Sequence, residues 1–299
     1  MTRHFLDVTD LDGHELRAVL AQATVADPPL VLHRRGVALL FQKPSNRTRH
    51  SMEMAVVQVG GHPVYVRPEE IDLDVRETVE DVTRILAGYH AGLAARVFDH
   101  DVLVRMAAVS AVPVINLLSD RSHPMQALAD VLTMGEVMGD LAGRTVAYVG
   151  DYNNVARSLA EASALLGMHV RIGSPRGYEP PADELDRIAA LGAPTVVHSF
   201  DPFEAVKGAD AVHTDVWTSM GQEAEDAVRR SVFAGYTVTE EMMAAAAPDA
   251  GFYHCLPAHR DDEVSAAVID GPQSQVFRQG HNRLHAARGL LLWLYGAPR

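Results

Sequence analysis

Short apolar runs alternate with stretches of helical periodicity along almost the whole chain. Residues 36–41 form an apolar run typical of a buried strand, and residues 46–59 then place apolar side chains at helical spacing before two glycines. Further helices are predicted near 76–89 and over 154–168. Further strands are predicted at His62 to Val66, Leu93 to Val97, Val112 to Leu117, Arg144 to Gly150, His169 to Ile172, Thr195 to His198, Ala211 to Val216 and Gly251 to Cys255. This alternation predicts an α/β fold with mainly parallel sheets flanked by helices.

The pattern also predicts two domains. A helix opens at His123-Pro124, because proline suits the first helical position, and it links the two halves. We expect a first domain over residues 1–135 and a second, Rossmann-like domain over 136–278. The last helix, over Arg283 to Tyr295, has a strongly apolar face and is predicted to pack back on the first domain. Residues 279–299 are therefore assigned to the first domain.

Composition narrows the class of protein. A chain of 299 residues with 47% hydrophobic residues suits two domains of ordinary size. The formal charge, 26 − 39 = −13, argues against broad binding to nucleic acid or an anionic membrane. The single cysteine, Cys255, excludes an internal disulfide and agrees with a reducing compartment. No apolar stretch approaches the roughly 20 residues of a membrane-spanning helix, and the first ten residues do not form a signal peptide. We expect a cytoplasmic protein.

Polar segments follow several predicted strands, where ligands bind in open α/β sheets. The first covers residues 43–49 and places two hydroxyls and two guanidiniums at a strand-to-helix turn. Free backbone N–H groups and the helix dipole favour an anion there, and phosphate is the natural ligand. The alternative is that Ser45 only caps the helix while the arginines face solvent.

Three more segments of this kind carry candidate chemistry. His123, at a helix start, could donate a hydrogen bond to a carbonyl oxygen, and Gln126 lies one turn on, although a lone histidine is more often structural. Asp215 opens a polar turn and could hold a substrate ammonium, or lie in an ordinary loop. Cys255 ends an apolar strand, where a cysteine is more often a small buried hydrophobe. A metal site made by residues 254, 255 and 259 lacks a second cluster with zinc-ligand spacing.

Taken together and in this order, these segments resemble the aspartate/ornithine carbamoyltransferase family, on its ornithine branch. The likeness runs from about Phe5 to Tyr295. The matching motifs are Ser-x-Arg-Thr-Arg at 45–49, His-Pro-x-Gln at 123–126, Asp-x-x-x-Ser-Met-Gly at 215–221, His-Cys-Leu-Pro at 254–257 and Asn-Arg at 282–283. Residues 151–154 resemble the family's Asp-Gly-Asn-Asn turn, and Arg96 stands where an arginine for carbamoyl phosphate is expected.

The resemblance implies an enzyme that transfers a carbamoyl group from carbamoyl phosphate to the side-chain amine of ornithine. It needs no metal and no cofactor, and it forms a homotrimer or an assembly of trimers. The residues implied for carbamoyl phosphate are Ser45, Asn46, Arg47, Thr48, Arg96, His123, Gln126 and Arg283. Those implied for ornithine are Asn154, Asp215, Ser219, Met220, Cys255 and Leu256. Of these, Cys255, Arg96 and His123 are implied to be catalytic, with Cys255 as the proton acceptor.

Three departures from the family pattern affect the expectation. Asn46 replaces the commonest threonine at a position that contributes mostly backbone. Asp72, with Asp74 nearby, stands where many members carry a glutamine that reaches a neighbouring subunit's phosphate site. An acid beside a phosphate repels it, so this loop is displaced or the contact is absent. His281 replaces a common glutamate.

Alternative functions stay open at this point. The acceptor amine could belong to putrescine, aspartate or an acylated ornithine, although Asp215 with the Ser-Met-Gly sequence favours ornithine. A non-catalytic ligand-binding homologue is the alternative from a different class. A nucleotide-binding oxidoreductase is disfavoured, because the turn after Gly150 lacks the second and third glycines that let a pyrophosphate approach the backbone.

Overall fold

The computed structural model describes residues 2–218 and 223–296, and the chain divides into two units. The first unit runs to Ala129 and resumes at His281, and the second covers Asp130–Gly280. Two helices, α6 (Pro124–Met138) and α13 (Val276–Gly296), contribute residues to both units. Within the described residues, no helix has the length and apolar character needed to cross a membrane.

The first unit is built on a parallel sheet of four strands. Its strands are β1 (Gly36–Phe41), β2 (His62–Val66), β3 (Gly92–Arg96) and β4 (Val114–Leu118). The helices that lie wholly in this unit are α1 (Gly13–Ala23), α2 (Asn46–Gln58), α3 (Pro68–Ile71), α4 (Val79–Tyr89) and α5 (His100–Val109). The strand order is β2-β1-β3-β4. Every residue of β3 is buried, as expected for a parallel strand covered on both faces.

The second unit is built on a parallel sheet of five strands. Its strands are β5 (Thr145–Val149), β6 (His169–Gly173), β7 (Val196–Ser199), β8 (Ala211–Thr214) and β9 (Gly251–His254). Its remaining helices are α7 (Asn154–Leu165), α8 (Ala182–Ala189), α9 (Pro202–Val206), α10 (Asp226–Phe233), α11 (Glu240–Ala245) and α12 (Ala266–Ile269). The strand order is β7-β6-β5-β8-β9.

Each sheet has a topological switch point, where the chain leaves one strand toward one side and returns on the other. In the first unit it lies between β1 and β3, and in the second between β5 and β8. Loops diverge at such a point and leave a crevice beyond the carboxyl ends of the strands, which is where ligands bind in open α/β sheets. The segments after β1, β3, β5 and β8 are therefore the places to examine.

The predicted fold class is confirmed, including the return of the C-terminal helix to the first unit. Arg288 of α13 donates to the Ala23 carbonyl at 2.6 Å, and the Tyr295 hydroxyl donates to the Ala91 carbonyl at 2.9 Å. Two helix starts were wrong. The helix expected from residue 76 begins at Val79, because the Thr78 hydroxyl caps it. The last helix begins at Val276, seven residues before Arg283, and this start was missed because the residues in between are mostly polar and do not continue the apolar face from which the helix was predicted.

Candidate active site

The start of α2, at the switch point of the first unit, is shaped by two hydroxyls. Ser45 is the N-cap of α2, and its Oγ accepts from the Thr48 backbone N–H at 3.4 Å. The Ser45 hydroxyl also donates to Thr48 Oγ1 at 3.0 Å. Ser45 thus does cap the helix, as the simpler interpretation of this motif required. Asn46, the first residue of the helix, is exposed.

Two guanidiniums converge on the Thr48 hydroxyl. Arg96, the last residue of β3, donates to Thr48 Oγ1 at 3.4 Å, and Arg283 of α13 donates to the same oxygen at 2.5 Å. Thr48, Arg96 and Arg283 are 2%, 7% and 5% exposed. Two buried positive charges directed at one oxygen, beside the N-terminus of a helix, make a strongly anion-attracting place.

The imidazole of His123 lies in the field of these two arginines. His123 is buried, and burial followed by the charges of Arg283 and Arg96 holds its pKa well below the ordinary 6.5. The ring is therefore neutral at physiological pH and can donate one hydrogen bond without carrying a charge. Gln126, in the first turn of α6, is also buried. The first unit thus brings together five of the residues that the sequence assigned to carbamoyl phosphate: Ser45, Thr48, Arg96, His123 and Arg283.

The two arginines of the 45–49 motif have different surroundings. Arg49 donates to the Glu53 carboxylate at 2.8 Å and lies 3.8 Å over the Tyr65 ring, so its guanidinium is engaged by its own unit. Arg47 is half-buried, and its Nε has no hydrogen-bond partner within the described residues although that atom is buried. A buried N–H left in this way is unfavourable unless a ligand accepts it.

One of the two charges in the loop that contains Asp72 and Asp74 is paired with an arginine of the first unit at the surface. Arg105 of α5 donates two hydrogen bonds, of 2.7 and 2.9 Å, to the Asp74 carboxylate, and these bonds lower the pKa of Asp74. Glu80 accepts from the same guanidinium at 2.7 Å. Asp72 is exposed, and both aspartates have positive φ, 38° and 61°. The charge of Asp74 is therefore balanced inside the first unit.

In the second unit, Asp215 is the centre of the polar group at the switch point. It follows β8, is 5% exposed, and accepts from Asn153 Nδ2 and from the Cys255 thiol, both at 2.9 Å. Asn153 is also the N-cap of α7, because its Oδ1 accepts from the N–H groups of residues 155 and 156. The turns after β5, β8 and β9 are thereby joined through one carboxylate.

Sequence reasoning named Asn154 for ornithine but missed the role of its neighbour Asn153, which donates to Asp215. Asn154 is the first residue of α7 and is half-buried. The available signal was the preference of asparagine for N-cap positions, which marks the first of two adjacent asparagines before an apolar helical face. Ser219 and Met220 were also predicted to take part, and they lie outside the described residues.

Arg229 of α10 was also missed. It donates to the Asp151 carboxylate at 2.7 Å and to the Trp217 carbonyl at 2.9 Å, and it is 5% exposed. Its two hydrogen bonds therefore connect the turn after β5 with the segment that follows Asp215.

The turn at Cys255 and Leu256 is held by a buried histidine. His254 Nδ1 accepts from the Leu256 N–H at 2.9 Å, which leaves the proton on Nε2, and Nε2 faces Glu263 Oε1 at 3.1 Å. Burial alone raises the pKa of Glu263, but its bonds from His254 and from the His259 backbone outweigh burial and lower that pKa. Leu256 has φ 57°, a left-handed conformation that these contacts maintain.

In the described part of the chain, the three residues considered from the sequence as metal ligands do not lie in one group. Ligand atoms of Asp215, His254 and Cys255 lie within 4.8 Å of one another, but His259 belongs to a different group, with Asp262 and Glu263. Both ring nitrogens of His254 are occupied by the contacts described above. The residues weighed as possible metal ligands, 254, 255 and 259, thus fall in two different groups.

The fold and these two groups define an α/β enzyme whose first unit attracts an anion and whose second unit presents a carboxylate and a thiol. Two family models match the chain: the aspartate/ornithine carbamoyltransferase carbamoyl-P binding domain over residues 3–136, and the Asp/Orn binding domain over residues 142–294. The chain therefore belongs to the aspartate/ornithine carbamoyltransferase family.

Individual relatives agree with this assignment. The chain is 48% identical to the ornithine carbamoyltransferase of Acidothermus cellulolyticus over 306 residues, covering 99% of this chain and 98% of the relative. It is 49% identical to that of Thermus thermophilus over 295 residues, covering 96% of each. The solved structure of the Pyrococcus furiosus ornithine carbamoyltransferase superposes with a TM-score of 0.93 at 42% identity, covering 99% of this chain and 98% of that one.

Proposed function

We propose that this protein is an ornithine carbamoyltransferase, which converts carbamoyl phosphate and L-ornithine to L-citrulline and phosphate. The observation that carries the proposal is the convergence of Arg96 and Arg283 on the Thr48 hydroxyl, next to a neutral His123. In this proposal residues 1–135 with 279–299 form the carbamoyl-phosphate domain, and residues 136–278 form the ornithine domain.

The phosphate of the donor binds at the start of α2. Free N–H groups of the first helical turn, including that of Asn46, and the hydroxyls of Ser45 and Thr48 supply donors. Arg47 adds a guanidinium whose Nε is buried and lacks a partner within the described residues. A guanidinium forms two parallel bonds to a phosphate, so this residue suits a doubly charged leaving group.

The carbamoyl carbonyl oxygen binds near Arg96, His123 and Gln126. Negative charge grows on that oxygen as the amine attacks, and donors fixed before the reaction stabilise it most. His123 serves as a neutral donor here, because a protonated imidazole beside two buried arginines is disfavoured. Arg283 and Arg47 balance the charge that develops on the departing phosphate.

Ornithine binds through Asp215 and its neighbours. The Asp215 carboxylate, oriented by Asn153, accepts from the substrate ammonium, and Asn154 contributes an amide. Ser219 and Met220 contribute by the family resemblance alone. Leu256 and Cys255 lie by the reacting amine, and the left-handed conformation of Leu256 sets the direction of this turn.

The attacking amine has to lose a proton. A lysine-like amine has a pKa near 10.4, so the protein must provide a proton acceptor. The Cys255 thiol now donates to Asp215. Once the thiol has lost its proton, the thiolate takes one proton from the side-chain ammonium of ornithine, and the neutral amine attacks the carbamoyl carbon to form the C–N bond. The C–O bond to phosphate then breaks, and the departing phosphate takes the second proton of the amine, so that it leaves as hydrogen phosphate.

An acceptor panel tests the proposed function. Purified protein is given carbamoyl phosphate with ornithine, putrescine, aspartate or an acylated ornithine, and the products are separated and identified by mass spectrometry. We expect citrulline and phosphate from ornithine at a rate at least about 100-fold above the acylated ornithine, because acylation removes the α-ammonium that pairs with the buried Asp215 carboxylate. Putrescine keeps an ammonium at that position, so its rejection depends on the rest of the ornithine site. Carbamoylation of putrescine without citrulline formation refutes ornithine as the substrate.

We also propose a homotrimer, as the family resemblance implies. A trimer has a mass of 3 × 32.4 kDa, about 97 kDa. Light scattering coupled to gel filtration measures this mass directly, and a fully active species of 32.4 kDa contradicts the assembly while leaving the reaction untouched.

A further inference from the structure

A buried amide at the start of α13 holds the end of β9. Gln279 is fully buried, and its Oε1 accepts from the His254 backbone N–H at 2.9 Å. Its Nε2 donates to Asp130 Oδ1 of α6 at 2.7 Å and lies 3.2 Å from His213 Nε2 of β8. Asp130 and His213 are also fully buried, so one side chain joins four elements of the second unit.

The contact to His254 continues the hydrogen bonding of an edge strand. The strand β9 lies at the edge of its sheet, and residues 273–275 form hydrogen bonds along its outer side. The Phe252 N–H donates to the Gln273 carbonyl at 2.9 Å, and the Gln275 N–H donates to the Phe252 carbonyl at 2.8 Å. Two residues after Phe252, the His254 N–H has a side-chain acceptor, the Gln279 Oε1, where Phe252 has a backbone acceptor. Cys255 is the next residue, so the amide fixes the backbone from which the thiol projects.

The chemistry of the partners permits only one orientation of this amide. An Asp130 carboxylate accepts hydrogen bonds, and a backbone N–H donates them, so Oε1 and Nε2 of Gln279 cannot exchange places. The second proton of Nε2 then points to His213, whose Nε2 acts as acceptor. A carboxylate or an apolar side chain of similar shape at position 279 cannot make the same set of contacts.

We propose that Gln279 is a positioning residue for Cys255, and that Asp130 positions Gln279. The pair sets the end of β9 so that the thiol reaches the Asp215 carboxylate. The inference rests on the proposed ornithine carbamoyltransferase activity, in which Cys255 handles the proton of the attacking amine.

The variant Gln279→Glu makes the proposal testable through pH. The introduced carboxyl group lies beside Asp130, and two carboxyl groups so close share one proton, which raises the apparent pKa of the pair. At low pH the introduced group is protonated, so it donates to Asp130 and accepts from His254, as glutamine does. As pH rises the pair loses its proton, the two carboxylates repel, and the end of β9 shifts. Among the described residues, the other titratable or charged groups near position 279 are His213 and His254, with Glu263 against His254 and with Tyr253 near Asp130 and Arg278.

We therefore expect kcat of Gln279→Glu with ornithine to fall about tenfold or more as pH rises through this titration, relative to the wild-type profile. The KM for carbamoyl phosphate stays within about twofold, because that ligand binds in the first unit. Adding Asp130→Asn supplies a donor for the introduced carboxylate and should remove the new pH dependence. The matched control is Gln275→Glu, the same chemical change four residues earlier in the chain, which should keep the wild-type profile.

A second measurement does not depend on turnover. In Gln279→Leu the His254 N–H loses its acceptor, so we expect iodoacetamide to alkylate Cys255 at least about threefold faster than in the wild type, as the thiol leaves Asp215. Thermal unfolding confirms that each variant is folded. Unchanged alkylation in folded Gln279→Leu, or a wild-type pH profile in Gln279→Glu, overturns the inference. Absence of citrulline formation by the wild type refutes the proposed function instead, and the alkylation rates still test the positioning.

Discussion

The thiol of Cys255 donates a hydrogen bond to the carboxylate of Asp215 at 2.9 Å. The two residues are 40 positions apart in sequence, and each follows one of two neighbouring parallel strands, β9 and β8. The same carboxylate accepts from Asn153 at the start of α7. Asp215 thus accepts two hydrogen bonds from the protein, and in the proposed function the same carboxylate binds a cationic group of the substrate.

Replacing Asp215 by asparagine tests the proposed ornithine contact. The substitution keeps the size of the side chain but removes the negative charge, and it presents an amide where the substrate ammonium should bind. We expect kcat/KM for ornithine to fall at least about 100-fold, because loss of a buried charged partner costs several kcal/mol. The KM for carbamoyl phosphate should change by no more than about twofold. Steady-state kinetics with each substrate varied in turn gives both values.

The matched control for this substitution is Asp210→Asn. Asp210 lies before β8, at the opposite end of the same strand, where it accepts from Arg144 and from the Thr145 N–H. The substitution Asp210→Asn should lower the stability of the fold without a selective loss of kcat/KM for ornithine. An equal loss of kcat/KM for ornithine in both variants contradicts a substrate-binding role for Asp215.

Replacing Thr48 by valine tests the convergence of Arg96 and Arg283. Valine has the shape of threonine but lacks the oxygen on which both guanidiniums converge, and it also removes a donor to the phosphate. We expect the affinity for carbamoyl phosphate to fall about 10- to 100-fold, since charged hydrogen bonds contribute on the order of 1.5–3 kcal/mol each. Isothermal titration with a stable phosphonate analogue measures the change. Thr83→Val is the control, because the Thr83 hydroxyl is buried and donates to the Val79 carbonyl of its own helix. Equal losses in the two variants would contradict the proposal.

Arg47 and Arg49 provide a comparison within one motif. Arg47 has a buried Nε without a partner within the described residues, whereas Arg49 is engaged by Glu53 and Tyr65. We expect Arg47→Ala to remove most activity, by about 100-fold or more in kcat/KM for carbamoyl phosphate, since it deletes a phosphate contact. Arg49→Ala should lower activity by less than about tenfold, because exposed ion pairs contribute little. Near-normal turnover in Arg47→Ala places the anion site elsewhere.

The strands could be predicted because they are short apolar runs that alternate regularly with segments of helical periodicity along the chain. The buried strands β1, β3 and β5 each showed this pattern. The start of α13 could not be predicted, since residues 276–282 include Gln279 and Asn282, polar side chains that are nevertheless buried. Their burial depends on partners elsewhere in the chain, such as Asp130, and no local pattern contains that information.

For the site, the sequence could indicate which residues take part but not how they meet. Thr48 was assigned to the phosphate, yet its contact with Arg283 spans 235 positions and only the fold reveals it. The 45–49 motif taken alone did not separate Arg47 from Arg49, and only the family resemblance selected Arg47. The contact that engages Arg49 depends on Tyr65 in the neighbouring strand. Asn153 was detectable from its capping position, but its contact with Asp215 was not.

The protonation of His123 gives a test based on pH. Burial, with the charges of Arg283 and Arg96, lowers its pKa, so the folded protein keeps the ring neutral at 6.5 and above. Below about 6.5 the unfolded chain takes up a proton at this position that the folded protein does not, and this residue therefore reduces stability as pH falls. In NMR titrations compared with His123→Gln, we expect no titration of the His123 ring between about pH 6 and 8. Arg96→Met should raise this pKa by removing one positive charge, and an unchanged pKa contradicts the proposed contact.

The central claim is that Ser45, Arg47, Thr48, Arg96, His123 and Arg283 bind carbamoyl phosphate. It is tested most directly by a crystal structure with phosphonoacetamide, a stable analogue in which a methylene replaces the bridging oxygen. We expect the phosphonate oxygens within hydrogen-bond distance of Ser45, Arg47 and Thr48, and the amide oxygen within reach of Arg96 and His123. A phosphonate bound elsewhere, with Arg47 and Arg96 making no contact to it, contradicts the claim.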